Sequence, residues 1–122
     1  MPHNKHRRTC SHYSYYLRDG MSVLELGAAE DSYLPGGLRL GRHVGVGLSV
    51  DQMAQNGAMT ETLEVDLNNV VAENGVDSDE LRALGASSFD AILMANTLDF
   101  LENPREVYKS AWQLLKPGGI MM

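Results

Sequence analysis

Short apolar runs alternate with polar segments along this chain, and that alternation restricts the fold more than any other feature of the sequence. Apolar runs of about four to eight residues, bounded by Gly, Asp, Asn or Pro, are typical of buried strands. Such runs occur at Val23–Leu26, Val44–Leu48, Leu63–Leu67, Phe89–Ala95 and Ile120–Met122. Strands that alternate with helices favour a parallel sheet with crossover helices on its faces. The sequence therefore predicts an α/β fold.

Helix signals occur in three of the intervening segments, namely Ser49–Asn56, Ser78–Leu84 and Pro104–Leu115. The last segment is the clearest, because Asn103 suits the capping position and Pro104 suits the first helical position. The segment after the first apolar run differs, since Pro35-Gly36-Gly37 prevents more than about one helical turn there. We therefore expect the first crossover to be a loop or a single turn.

The length and charge of the chain restrict its domain organisation and its partners. A chain of 122 residues suits one domain, with residues 1–12 expected as a flexible amino-terminal tail and residues 13–122 as the domain. The net charge is −6, and the excess of acidic residues lies beyond the first twenty residues. An acidic domain disfavours nucleic acid, whose phosphates are bound mainly by Lys and Arg. No apolar run approaches the ~20 residues that span a bilayer, so we expect no membrane segment.

The amino-terminal tail contains the only cysteine and most of the histidines, at His3, His6, Cys10 and His12. These residue types are zinc ligands, but nothing nearby in the sequence indicates a rigid frame for them. We therefore predict a His-rich, unstructured terminus and no metal site. The tail has no apolar core of the kind found in secretory signals, so we expect a soluble protein inside the cell, in the cytoplasm or a plastid.

The motifs at the ends of the predicted strands resemble those of class I S-adenosylmethionine-dependent methyltransferases, in particular the type 11-like members. In chain order they are Val23-Leu24-Glu25-Leu26-Gly27, Val44-Gly45-Val46-Gly47-Leu48-Ser49, Glu64-Val65-Asp66-Leu67, Phe89–Asn96 and Leu114-Leu115-Lys116-Pro117-Gly118-Gly119. The order of these motifs, over roughly residues 20 to 122, carries the resemblance. Within the family the chain is most similar to methyltransferase-like proteins of plants, algae and cyanobacteria.

The resemblance implies a Rossmann-like open parallel sheet of order 3-2-1-4-5 that lacks the final two strands of the family fold. It also implies an S-adenosyl-L-methionine site beyond the carboxyl ends of the strands. Glu25 is expected to face the amino-acid end of the cofactor, and Asp66 the adenine amino group. The full set of expected cofactor-binding residues is Glu25, Gly27, Ala29, Gly47, Leu48, Asp66, Leu67, Asn96 and Thr97.

The sequence departs from the family pattern at three of the positions around this site. Ala29 and Asp31 stand where the family usually has glycine, and Asp31 places a side chain where backbone normally passes close to the ligand. Gly47 stands where the family usually has the carboxylate that binds the ribose hydroxyls. These departures predict weak cofactor binding. The sequence does not identify which residue, if the domain is active, is catalytic.

The resemblance implies a methyltransferase domain or fragment that acts on a small molecule. The alternative is a catalytically inactive, methyltransferase-like module that binds a ligand or a partner. A nicotinamide-dependent oxidoreductase is disfavoured, because residues 27–31 lack the G-x-G-x-x-G turn that such enzymes use. The sequence stops at the fifth predicted strand, whose edge is then expected to be bare and to promote self-association.

Overall fold

A computed structural model describes residues 16–27, 38–54, 59–64, 83–94, 101–102 and 104–121. The strands within these ranges are β1 (Ser22–Leu26), β2 (Arg42–Gly47), β3 (Glu61–Glu64), β4 (Phe89–Leu93) and β5 (Leu115–Met121). The helices are α1 (Val50–Ala54) and α2 (Pro104–Trp112). None of the helices in these ranges is long and apolar enough to cross a membrane.

The strands form one sheet in the order β3-β2-β1-β4-β5, which confirms the predicted order. All of the recorded strand pairs are parallel. β1 lies at the centre, so that Leu24 is paired with Val44 on one side and with Ile92 on the other. Because parallel strands end on the same side of the sheet, the residues that follow β1 and β2 are brought together.

Both faces of the central strands are buried, which explains why these strands have almost continuously apolar sequences. One face packs against α2, through Val107, Ala111 and the following Leu114; its strand residues include Leu24, Leu26, Val44, Val46 and Ile92. The opposite face carries Val23, Ala91 and Leu93, which pack with Leu17. Leu17 precedes β1 in the sequence and is 3% exposed. Leu17 and Met21, which precede β1, therefore help to cover this face, together with Leu38 and Leu40.

Polar contacts hold together the edge of the sheet at which the strands begin. Asp90 accepts a hydrogen bond from the Ser22 backbone N–H at 2.8 Å and lies 3.3 Å from the Lys116 ammonium. Its carboxylate therefore links β1, β4 and β5. This edge is the one opposite to the expected cofactor site.

Arg42 forms the second set of contacts at this edge. Its Nε lies 2.6 Å from Glu61 Oε2 and its guanidinium carbon lies 5.1 Å from the centre of the Phe89 ring. The hydrogen bond from Arg42 lowers the pKa of the Glu61 carboxyl, and the same bond raises the pKa of Arg42. Both side chains are partly exposed, so water screens the pair and its contribution to stability is small.

The end of α2 and the start of β5 differ from the prediction. The helix was expected to reach Leu115 but ends at Trp112, and β5 begins at Leu115 rather than at Ile120. The reason is tertiary: the Leu114 carbonyl accepts hydrogen bonds from the backbone N–H groups of Ser88 and Phe89, at 2.9 and 3.0 Å. The chain therefore joins the sheet as soon as it leaves the helix.

Residues 116–119, which separate the predicted helix from the last predicted strand, lie inside β5 as an irregular section. The register between β4 and β5 shifts there, because Phe89 pairs with Leu115 while Ala91 pairs with Ile120. Gly118 has a φ of 80°, a conformation that favours glycine. The loop expected for residues 28–37, most of the helix expected at Ser78–Leu84, and the tail lie outside the described residues.

Candidate cofactor site

The candidate site lies where β1 and β2 end side by side. The described residues of the expected set that lie there are Glu25, Gly27, Gly47 and Leu48. Ala29, Asp66, Leu67, Asn96 and Thr97, the other members of the set, lie outside the described residues, as does Asp31. The geometry of the site is therefore described from the ends of two strands.

Gly27 turns the chain away from the sheet directly after β1. Its φ of 77° lies in the left-handed region, which side chains with a Cβ rarely adopt. Its backbone N–H donates to the Val46 carbonyl at 2.7 Å, so the turn is tied to the end of β2. Gly27 thus has a structural reason to be glycine, and it also leaves backbone without a side chain at the exit of the central strand.

Glu25 is a buried carboxylate next to this turn. Only 5% of the residue is exposed, and its Oε2 lies 3.0 Å from Nε2 of His43, of which 1% is exposed. The two side chains are diagonal neighbours across β1 and β2, since Glu25 is paired with Gly45 and His43 with Val23. Gly45 has no side chain to separate them. An ionised carboxylate only accepts hydrogen bonds, so the imidazole is the donor when Glu25 is ionised.

The backbone of His43 is fixed by Thr60, the residue before β3. The His43 N–H donates to Thr60 Oγ1 at 3.0 Å, and the His43 carbonyl accepts from the Thr60 N–H at 2.8 Å. The Thr60 hydroxyl also lies 3.0 Å from that carbonyl. These contacts limit the movement of the histidine within the sheet.

The end of β2 combines a buried glycine with an exposed leucine. Gly47 is buried and, as a glycine, provides no side chain. Leu48, which follows it, is 72% exposed. Gly47 is paired in register with Glu64 at the end of β3, so a carboxylate is carried by the neighbouring strand. Leu48 offers an apolar surface at the position where the sequence predicts contact with the cofactor.

His43 lies near the start of β2 and reaches this site through its contact with Glu25, which the sequence interpretation missed. The second apolar run begins at Val44, so the prediction does not include His43 in the strand. One signal was available: strand periodicity extended backwards places His43 on the same face as Gly45 and Gly47. The sequence does not show that Glu25 lies across from it, because that contact depends on the register between two strands.

The described residues contain no group of three or more His, Cys, Asp and Glu side chains that could hold a metal ion. The His3, His6, Cys10 and His12 cluster lies outside the part of the chain that the structure describes. The described geometry therefore offers a carboxylate, a glycine turn and an apolar surface, which suit an organic ligand that carries a positive charge at one end.

Comparison with known proteins assigns this arrangement to a family. Residues 25–121 match the family described as "Methyltransferase domain". The ubiquinone biosynthesis O-methyltransferase of Caulobacter vibrioides is 31% identical over 90 residues, which are 63% of this chain and 36% of that protein. The chain therefore spans about a third of the length of this curated relative.

Solved structures show the same fold. A SAM-dependent methyltransferase from Aquifex aeolicus matches 96% of this chain and 63% of its own, at 18% identity and a TM-score of 0.67. The putative methyltransferase in complex with the Haloferax volcanii activator Trm112 matches 97% of this chain and 51% of its own, at 16% identity and a TM-score of 0.67. With its parallel sheet and the family match over most of its length, the chain belongs to the class I S-adenosylmethionine-dependent methyltransferases.

Proposed function

We propose that this chain binds S-adenosylmethionine at the carboxyl ends of β1 and β2, as the cofactor-binding part of a methyltransferase. The observation that carries the proposal is the buried Glu25 carboxylate beside the left-handed turn at Gly27. A carboxylate suits the ammonium group of the cofactor's amino-acid end, and the turn leaves room for close approach. The described residues therefore fit the cofactor, except that Gly47 offers no carboxylate to the ribose.

Methyl transfer requires the protein mainly to bind the cofactor and the methyl acceptor and to orient them toward each other. When bound, S-adenosylmethionine would supply a methyl group on a sulfonium, and the methyl acceptor would displace S-adenosylhomocysteine in line. Glu25 holds the amino-acid end by a charge-assisted hydrogen bond, and the exposed Leu48 provides apolar contact for the adenine ring. Holding donor and acceptor in line lowers the entropic cost of the reaction. No described residue is assigned a proton-transfer step.

A small molecule is the proposed methyl acceptor. The curated relative is a ubiquinone biosynthesis O-methyltransferase, and the acidic composition of this chain disfavours nucleic acid. An intracellular location is part of the same proposal. Gly47 favours a second candidate, a methyltransferase-like module without turnover, because the ribose would be held less firmly.

Calorimetric titration of the chain with S-adenosylhomocysteine tests the proposal. We expect binding, and we expect Glu25→Gln to weaken it about tenfold or more, since one charge-assisted hydrogen bond contributes about 1.5–3 kcal/mol. Glu61→Gln is the matched control, because it makes the same change at the opposite edge of the sheet and should leave the affinity unchanged. A folded wild-type chain that binds neither S-adenosylmethionine nor S-adenosylhomocysteine would overturn the proposal.

Gly47→Asp is expected to strengthen the binding of S-adenosylhomocysteine by about tenfold to a hundredfold, because it restores one or two charge-assisted hydrogen bonds to the ribose. Gly47→Asn has nearly the same shape without the charge, and we expect it to gain less. The same calorimetric titration measures both variants. Equal affinity of wild type and Gly47→Asp would show that the ribose does not lie over the end of β2.

A further inference from the structure

We propose that His43 is a positioning residue that holds Glu25 in the orientation needed to bind the amino-acid end of S-adenosylmethionine. The inference rests on the proposed function and extends it to a residue that does not touch the cofactor. It starts from the 3.0 Å contact between His43 Nε2 and Glu25 Oε2, which joins two side chains that are both at least nine-tenths buried.

Because Glu25 is buried, its contact with His43 affects both the hydrogen bonding and the orientation of its carboxylate. A charged group loses its hydration when it is buried, and it is retained there only with hydrogen-bonding partners. A glutamate side chain also has several rotatable bonds, so burial alone does not define the direction of its carboxylate. The imidazole of His43 provides a partner and a direction together. An ionised carboxylate accepts at about four lone-pair sites, so it can hold an imidazole and an ammonium group at once.

The histidine is itself held in place, as a positioning residue must be. Its N–H and carbonyl are both bound by Thr60, at 3.0 and 2.8 Å. The neighbouring strand pairs fix its distance from β1, since His43 is in register with Val23. Thr60 therefore holds His43, and His43 in turn contacts Glu25, which lies two residues before the Gly27 turn. No residue in this series other than Glu25 is proposed to contact the ligand.

A purely structural role and a positioning role predict different ligand dependence. If the pair only stabilises the sheet, its loss should weaken every ligand of the site alike. If His43 orients Glu25, the loss should weaken only ligands that have the amino-acid end. S-adenosylhomocysteine has that end, whereas 5′-methylthioadenosine keeps the adenine, the ribose and the sulfur but lacks it. The ratio of the two affinities is therefore the diagnostic quantity.

The test is calorimetric titration of wild type, His43→Leu and His43→Gln with both ligands. We expect His43→Leu to weaken S-adenosylhomocysteine about tenfold, as for the loss of one hydrogen bond to a charged group, and to leave 5′-methylthioadenosine unchanged. His43→Gln should recover most of the loss, because its amide nitrogen can donate from nearly the same place. An equal loss for both ligands, or no loss for either, would overturn the inference while leaving the proposed function in place.

A measurement on the wild-type chain decides the matter if His43→Leu does not fold. With ¹⁵N-labelled histidine, S-adenosylhomocysteine should shift the ring nitrogen resonances of His43, and 5′-methylthioadenosine should not. His43→Gln identifies these resonances by their loss. Identical shifts with both ligands, or none with S-adenosylhomocysteine although it binds, would refute the positioning role. Failure of the wild-type chain to bind either ligand would instead refute the proposed function and, with it, this inference.

Discussion

Replacement of His43 with leucine is expected to lower the free energy of unfolding by about 1–3 kcal/mol, the cost of removing one hydrogen-bonding partner from a buried polar group. The reason is that the Glu25 carboxylate stays buried, at 5% exposure, without the imidazole that now lies 3.0 Å from it. Because the free energy of unfolding of a small domain is about 5–15 kcal/mol, a loss of this size is readily measured. Urea denaturation followed by circular dichroism measures it.

The double variant Glu25→Leu/His43→Leu is the matched control for this prediction. Replacing both members of a buried pair by apolar residues of similar size is often neutral or stabilising, so we expect the double variant to regain most of the lost stability. It should nevertheless bind S-adenosylhomocysteine about tenfold or more weakly, as Glu25→Gln does, because the carboxylate is gone. A double variant less stable than His43→Leu alone would show that Glu25 has a structural role beyond the contact with His43.

Phe89→Ala is expected to destabilise the chain by about 3–5 kcal/mol, the usual cost of removing a buried aromatic ring and leaving a cavity. Phe89 is completely buried at the start of β4, in the core on the α2 face. The ring also supports the Arg42 guanidinium, whose carbon lies 5.1 Å from its centre. Thermal and urea unfolding measure the loss.

Trp112→Ala controls for the removal of an aromatic ring as such. Trp112 is 57% exposed on α2 and stacks on Tyr108, with ring centres 6.2 Å apart. Because stacked aromatic pairs contribute about 0.5–1.5 kcal/mol beyond burial, we expect a loss well below that of Phe89→Ala. Similar losses for the two variants would mean that Phe89 is not a principal core residue.

The sequence predicted the fold more accurately than the boundaries of its elements. Apolar runs predicted β1, β2 and β4 closely, because strands buried on both faces contain few polar residues. The predicted run overlaps β3 only at Leu63 and Glu64, because β3 is largely exposed. The predicted end of α2 was wrong. The spacing of Val107, Ala111, Leu114 and Leu115 is that of one apolar helical stripe, so the local sequence favours a longer helix. The competing contact, between the Leu114 carbonyl and the N–H groups at the start of β4, joins residues distant in sequence.

The sequence predicted some residues of the candidate site and missed others. Glu25 and Gly27 were expected from their motif, and the structure places them at the end of the central strand. Their role in cofactor binding stays a prediction, as does that of Leu48. His43 was not expected at all, since a histidine near the start of a strand has no local signal that distinguishes a partner of Glu25 from a surface residue.

The sequence by itself determined the strand and helix types, the parallel sheet and the carboxyl-end position of Glu25 and Gly27. These follow from local rules: the spacing of apolar residues, and the left-handed conformation that glycine allows. Only the tertiary structure decided that His43 lies against Glu25 and that α2 gives way to β5 at Leu115. Both outcomes depend on strand register and on hydrogen bonds between distant segments. Pairing in three dimensions sets these contacts, and the order of residues along the chain does not contain them.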